Sequence, residues 1–549
     1  MVSGSVASDP SGISCGGSCM AEYQVNTSVK LTIDHDPSSV FTGWFGDASA
    51  CGVSPTCTIA MTSSKQVSAR FTQTGTTLWL THIGGTGREF ARSFATDKNG
   101  DIFVAGVFNS SQFTAGTVPL TNHGTSGSDD IFLAKLARDD GHVIWAKAFG
   151  GSDRDDVSSV AVDPATGDVV IFGSYIGDSD FGDSTLLPGS AVGDWVVARY
   201  SGANGANQWA KRIVLSQFPA GYTQPHGRVG VGAAGVYVAG FWSNGSIDLG
   251  DGARASNGGY QTMFAAKYSL DGKTLNWAND YQKAAGQSFG WIEAHALAVD
   301  STDNLVVVGE YAGSVDLGNP DMILTSTNSQ VGDFEDGFLA KYAGTNGSLL
   351  WPRSVGGSST DSCDSVAIGP SNDVIVGCND SIVDGTVTLD FGGPSPPPGP
   401  SGGPGPVGAN GLEVVVARYS SIDEYKWARR FGGDGLQELA GIGVDAASGR
   451  VLVGGRFSTV MTVDGFSLVR AGSYDNAWTA ALAPDTGVAE WAERFAGLYS
   501  VGIDAIAADS ANGRILVTGS FASLAQFGDQ EVMSAGDDDA YVVSIVPNL

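Results

Sequence analysis

One tryptophan recurs through the chain at a nearly constant interval, and this period limits the possible folds more than any other feature. Trp79, Trp145, Trp209, Trp277, Trp351, Trp427 and Trp491 are separated by 66, 64, 68, 74, 76 and 64 residues, and 59 residues run from Trp491 to Leu549. A self-similar unit of this kind is one supersecondary module that buries its apolar face only against neighbouring copies. The second unit shows its anatomy. WAKAFGG (Trp145–Gly151) reads as a short strand and SDRDD as a polar link, after which VSSVAVD (Val157–Asp163) alternates up to a PATGD turn. DVVIFGSY (Asp168–Tyr175) and DWVVARY (Asp194–Tyr200) are β-branched and aromatic runs on either side of a long loop, and a SGANGANQ turn leads to the next tryptophan. Each unit therefore supplies four short antiparallel strands, here called A to D, with the tryptophan in D.

Four-stranded sheets repeated around an axis make a β-propeller. A linear solenoid is the alternative, but it needs polar caps at both ends, and none is visible. The last unit has only three strands, VGIDAIAAD, GRILVTGSF and DAYVVSIV, while TTLWLTHIGG (Thr76–Gly85) has no earlier partners. We therefore expect an all-β chain: a seven-bladed propeller over 74–549, closed by its N-terminal strand. A glycine inside strand B recurs at Gly106, Gly173, Gly240, Gly309, Gly377, Gly455 and Gly519, which implies that a backbone or a bulky side chain approaches closely there, as radially packed blades provide. Residues 1–73 stand outside the repeat. Cys15, Cys19, Cys51 and Cys57 lie there, and their spacing favours disulfides over zinc, with the pairing among the four left open. A small disulfide-bonded β module is expected, since about 70 residues bury little core alone. Cys363 and Cys378 flank a hairpin centred on Pro370–Ser371 at equal distance, which predicts a cross-strand disulfide.

Asp and Glu number 58 against 29 Lys and Arg, a net charge of −29, so nucleic acid and anionic membrane surfaces are poor partners. No apolar run reaches the roughly 18 residues of a membrane span. The first twenty residues lack a secretory pattern, so the disulfides imply a secreted or surface protein whose export signal has been removed.

The repeat W-x3-FGG-x4-D, VAVD-x-x-G-D-V, D-x-F-x-A-K-Y resembles the bacterial SBBP-type β-propeller repeat across residues 76–549. The first module, with Pro10–Cys19, Phe41–Asp47 and Ser68–Phe71, looks like the divergent InlB B-repeat domain of bacterial surface proteins. These resemblances imply a secreted or surface-attached bacterial protein, and neither family has a catalytic set to carry over.

Catalytic patterns fail on context. Gly12–Gly16 matches G-x-S-x-G without the strand and helix of a nucleophile elbow. Gly230–Gly235 matches G-x-G-x-x-G but leads into a strand. Asp97–Asp101 starts like a calcium loop and lacks its closing Glu. Among the histidines (His35, His82, His123, His142, His226, His295), His226 and His295 begin strand A of neighbouring blades and approach the axis. Acids gather at the same place: Glu89, Asp155, Asp156, Glu293, Asp361, Asp364, Glu438 and Asp504 are expected to ring one mouth of the channel. The bland reading is loop capping. The sharper one is a cation site, calcium near Asp156, Glu438 and Asp504, since hard oxygen ligands suit an extracellular setting. A second series, Asp130, Asp194, Asp336, Asp475 and Asp539, precedes strand C and is read as capping its own turn. Gly392–Gly408 is a Pro/Gly insertion in the fifth B–C loop. The resulting expectation is a non-enzymatic extracellular binding or structural protein whose loop-rich face takes a protein or polysaccharide. A propeller enzyme, lyase- or glycosidase-like with paired carboxylates or quinoprotein-like, is the alternative.

Overall fold

A computed structural model of the chain describes residues 4–15, 19–35, 39–48, 51, 56–73, 75–124, 127–217, 225–256, 258, 260–326, 335–357, 359–383, 390–392, 410–433, 435–510, 513–528 and 530–547. Among these the chain is all-β, without an α-helix. Two compact units are present: Met1–Thr77 with Ile545–Leu549, and Leu78–Ser544. In the first, Gly4–Asp9, Ser14–Cys15, Ser28–His35 and Thr56–Ala60 form one sheet, and Ser39–Gly46 pairs with Val67–Gln73. Its core is small (Val29, Leu31, Trp44, Cys57, Ile59) and is supplemented by the disulfides Cys15–Cys19 and Cys51–Cys57.

The second unit is built by one motif used repeatedly. Glu89–Thr96 (A), Ile102–Phe108 (B), Asp130–Leu136 (C) and Val143–Gly151 (D) form an antiparallel meander in that order. Later A strands are Asp155–Val162, Gly227–Gly232, Gly290–Val299, Asp361–Ile368, Gln437–Val444 and Ala505–Asp509. Each A strand lies against the next, and Ala505–Asp509 lies against Glu89–Thr96, so the circuit closes as in a β-propeller. After Ala505–Asp509 come Arg514–Phe527 and Gln530–Val546, and the strand beside Gln530–Val546 is Thr76–Gly85. The Pro/Gly insertion lies outside the described residues apart from Gly392.

Strands B and C are buried along their whole length in the first two meanders. The core sits between neighbouring meanders: Phe103 and Ile131 of one pack with Val157, Ile171 and Val196 of the next. A strand covered on both faces must be apolar at every position, which is why these strands read as continuous runs instead of alternating. Burying each such side chain is worth about 1.5–3 kcal/mol.

The periodic tryptophan is the joint between meanders. Its indole N–H donates to a carbonyl in the following C–D turn: Trp79 to Arg138 at 3.0 Å, Trp145 to Gly202 at 3.3 Å, Trp209 to Leu270 at 3.1 Å, Trp277 to Gly344 at 3.1 Å and Trp427 to Pro484 at 2.8 Å. A turn glycine at positive φ lies flat on the ring. A Cβ on Gly272 (φ 68°) would stand 2.6 Å from Trp209. In the fifth meander Asp423 takes this left-handed position at φ 68°, as Asp tolerates better than most residues. Trp491 is buried with no partner for its N–H among the described residues, because the C and D strands that follow it come from opposite ends of the chain, with no turn between them.

The strand B glycine has a more local cause than radial packing. Strand A carries a β-bulge, for instance between Ala91 and Ser93, between Val157 and Ser159 and between Ala294 and Ala296. The carbonyl preceding the bulge sits over the glycine, so a Cβ would meet Phe90 O at 2.0 Å on Gly106, Glu293 O at 1.9 Å on Gly309 and Glu438 O at 1.8 Å on Gly455. Gly377 does not belong to this series. The pairings place Cys378 at the equivalent position, directly opposite Cys363, and the two form a disulfide with Cα atoms 3.9 Å apart. Gly377 instead faces Leu439 of the next meander.

Candidate functional site

Register decides what the acids before and in strand A do. Glu89, Asp155 and Asp361 occupy the first position and are fully buried, so they do not ring the mouth. Asp155 accepts the Gly151 N–H at 2.8 Å and the Ser179 hydroxyl at 3.0 Å, and Glu89 accepts Gly85 N–H and Ser110 Oγ, each at 2.6 Å. These carboxyls tie the D–A link to the B–C loop. Burial, reinforced by the neighbouring Asp130 charge, pushes the Asp155 carboxyl up to about 8. The folded chain then holds a proton that an unfolded aspartate, with its ordinary value of 3.8, has lost, so this contribution to stability falls as pH rises from 4 to 8. Gln437 fills the equivalent place, opposite Phe457 as Asp155 is opposite Tyr175, which shows that a neutral amide fits. We expect Asp155→Asn to melt progressively higher than the parent across this window, by up to about 1.4 kcal/mol per pH unit. Identical slopes of melting temperature against pH would show that Asp155 is ionised in the fold.

Asp361 is paired across the strands with Asp380. Both are buried, and burial raises both carboxyls; the contact with Asp380 pushes Asp361 further, to about 10, while the same contact holds Asp380 down. The series before strand C is likewise internal capping. Asp130 accepts His123 N–H at 2.6 Å, and Asp194 accepts Ser190 N–H at 2.7 Å. In the sixth meander the register-equivalent residue is Asn476, which accepts Ala471 N–H at 2.7 Å, and not Asp475.

The axis is lined by the next positions of strand A and by the bulge. Phe90, Arg92, Ser158, Arg228, Glu438, Ala440, Gly502 and Asp504, with Asp475, Asp538, Arg456 and Ser500 at the rim, enclose a cavity of 490 Å³. A second cavity of 560 Å³ is bounded by Arg228, His295, Asp364, Asn379 and Glu438. D–A links (Ser500–Asp504) and the ends of B–C loops (Asp475, Asp538) share this mouth. Its charge is mixed. Asp156 lies 3.0 Å from Arg154 and 3.7 Å from Arg92, and Glu438 lies 2.6 Å from Arg456. Burial raises Asp504 to about 6 against the pull of Arg92 and Arg456. The three acids named for calcium thus each face an arginine, and the structure does not gather their oxygens into one donor set. Arg228 bonds the Gly227 carbonyl at 3.2 Å and enters no ion pair among the described residues, and burial lowers its pKa.

One cluster does converge. Glu293, His295 and Glu310 present donor atoms that all lie within 4.8 Å of one another. Glu293 and Glu310 are opposite each other on strands A and B, and His295 is the bulge residue. Its Nδ1 is 2.6 Å from Asp364, which also accepts from Ser362 at 2.7 Å and Asn379 at 2.7 Å. Its Nε2 is 3.6 Å from Glu293 and 3.9 Å from Glu310. Burial opposes a charged imidazole, but the bond to Asp364 and the nearby Glu293 carboxyl outweigh it and raise His295 to about 10, while burial lifts Glu310 to about 7. Neighbouring His226 packs against Phe241 with centroids 4.5 Å apart and the rings tilted by 40°, and burial, Arg228 and His295 lower its pKa to about 4.

Four features carry no signal in the repeat pattern: Arg92, Arg228, Glu310 and a tyrosine pair at the rim. Tyr474 and Tyr499 are each 47 % exposed, with ring centroids 5.0 Å apart, and their chain neighbours Asp475 and Ser500 line the first cavity. Two exposed aromatics beside a polar cleft were visible as YD and YS in the loops, but only the fold brings them together.

No known protein family and no curated protein matches the chain. Solved structures similar to it include a quinohemoprotein alcohol dehydrogenase from Comamonas testosteroni (10% identity, 86% of this chain and 76% of that one, TM-score 0.36). BamB from Moraxella catarrhalis (10%, 78% and 96%, 0.32) and a protein of unknown function from Dyadobacter fermentans (11%, 86% and 99%, 0.36) are also similar. At these TM-scores the similarities carry no argument about activity or ligand.

Proposed function

We propose that the chain is a non-enzymatic extracellular or cell-surface binding protein, a seven-bladed propeller of SBBP type behind an InlB B-repeat-like module, that takes a saccharide at the mouth of its axial cavity. The observation that carries this reading is the Tyr474–Tyr499 pair standing exposed beside a cleft lined by Arg92, Arg228, Arg456, Glu438 and Asp504. Sugars present apolar C–H faces that sit on aromatic rings and hydroxyls that hydrogen-bond to planar charged groups, so this combination fits a polyhydroxylated ligand. Three disulfides support an oxidising, extracellular setting. The enzyme alternative lacks a comparable anchor: the cross-strand carboxyl pair Asp361–Asp380 is buried out of reach of substrate. A panel of soluble neutral and uronate-containing polysaccharides tested by affinity electrophoresis should yield a retarding member. Replacing Tyr474 and Tyr499 together by Ala should weaken that retardation at least tenfold, or about 1.4 kcal/mol. Retention by no member, or equal retention of parent and double variant, overturns the saccharide reading, and cleavage of a panel member would favour the enzyme.

A further inference from the structure

We propose that Glu293, His295 and Glu310 form a site for one divalent transition-metal ion of the zinc class, with Asp364 fixing the histidine. The site is independent of saccharide binding, and either can fail alone.

The argument begins with the sheet. Glu293 and Glu310 are directly opposed residues of an antiparallel pair. Like charges in that relation repel, and here the two side chains are only 7% and 20% exposed, so water screens them little. The imidazole of His295 lies beside both. Its distances to them, 3.6 Å and 3.9 Å, are too long for good hydrogen bonds. They are close to the separation of about 3.4 Å between two ligands of a tetrahedral ion with bonds of about 2.1 Å.

The outer contacts point the same way. A metal-bound histidine ordinarily donates its other ring N–H to a carboxylate, which sets the tautomer and aims the free nitrogen at the ion. His295 meets that condition through Asp364 at 2.6 Å, and Asp364 is itself held by Ser362 and Asn379. Without an ion, the Glu293, Glu310 and Asp364 carboxyls crowd a single imidazole. With a divalent ion in place of the Nε2 proton, two glutamates balance the metal, and the charge on Asp364 is offset by Arg228, which shares its cavity. The nitrogen ligand favours zinc or cobalt over calcium, which takes oxygen. Three protein ligands leave a fourth position for water or a further ligand.

Chelator-treated full-length protein titrated calorimetrically with zinc should bind one ion per chain, and zinc should raise its melting temperature while calcium does not. Glu310→Gln, which keeps the shape, should weaken zinc at least 10-fold; His295→Gln should abolish the site. Asp364→Asn should weaken it about 10- to 100-fold, the usual cost of losing such a positioning partner. Cobalt added to the parent should give a visible d–d band that is missing in His295→Gln. Near-ultraviolet circular dichroism establishes that each variant is folded. If His295→Gln does not fold, Glu310→Gln with cobalt decides. Failure of the parent to bind zinc at one to one, or unchanged affinity in folded Glu310→Gln, overturns the proposal and leaves His295 as an imidazolium bridging three acids.

Discussion

Deleting residues 1–85 should unfold the propeller, whereas deleting 1–73 should leave its melting transition in place. The shorter deletion spares Thr76–Gly85, the strand next to Gln530–Val546. The longer one removes Trp79 and Ile83, which are 6% and 0% exposed in the core, along with the Trp79 bond to Arg138 O at 3.0 Å. Losing each of two large buried side chains costs about 2–5 kcal/mol. It also bares the edge of a sheet and ends the pairing of the Phe113 hairpin with Gly84 and Gly85. The sum is comparable with the whole stability of a typical domain, about 5–15 kcal/mol. Differential scanning calorimetry of both truncations decides. Coincident transitions would mean that the strand adds nothing and that the ring closes without it.

Gly455→Ala should be strongly destabilising for a single substitution, although it adds one methyl group. Its Cβ would lie 1.8 Å from Glu438 O and 2.8 Å from the carbonyl carbon. Both atoms belong to a hydrogen-bonded strand, so relief requires strand A to move away from strand B and the bulge to open. Overpacking a rigid site costs about 1–3 kcal/mol and sometimes more, and a contact this short with backbone belongs at the upper end. The adjacent Gly454 is the control. Its Cβ would meet nothing closer than Trp478 O at 3.2 Å, so Gly454→Ala should fall within about 1 kcal/mol of the parent. Urea melts of the two variants test the comparison, and equal midpoints would show that the bulge carbonyl is not what excludes a side chain. The same geometry explains the fifth meander, where Cys378 stands in the glycine's place and its side chain is taken up by the bond to Cys363.

Much of the architecture follows from local chemistry that any reader of the chain can see. The tryptophan period and the apolar B and C runs specify a four-stranded unit that must pack on copies of itself. The incomplete last unit specifies where Thr76–Gly85 goes, and the hairpin symmetry specifies Cys363–Cys378. What the residues alone did not determine was register. Side chains on a strand alternate with a period of two, so one bulge residue exchanges the faces of everything beyond it. Asp361 and Asp364, three positions apart, therefore received opposite fates: Asp361 is buried as a cap, and Asp364 lines the axial cavity. Gly377 and Asp475 were each one place out of their series for the same reason. Arg92, Arg228 and Glu310 reach the axial surroundings through strand pairing and bulges that no composition or motif announces. The repeat is a property of the chain, whereas the set of side chains facing the axis is a property of the paired strands, because a bulge becomes visible only when its partner strand is beside it.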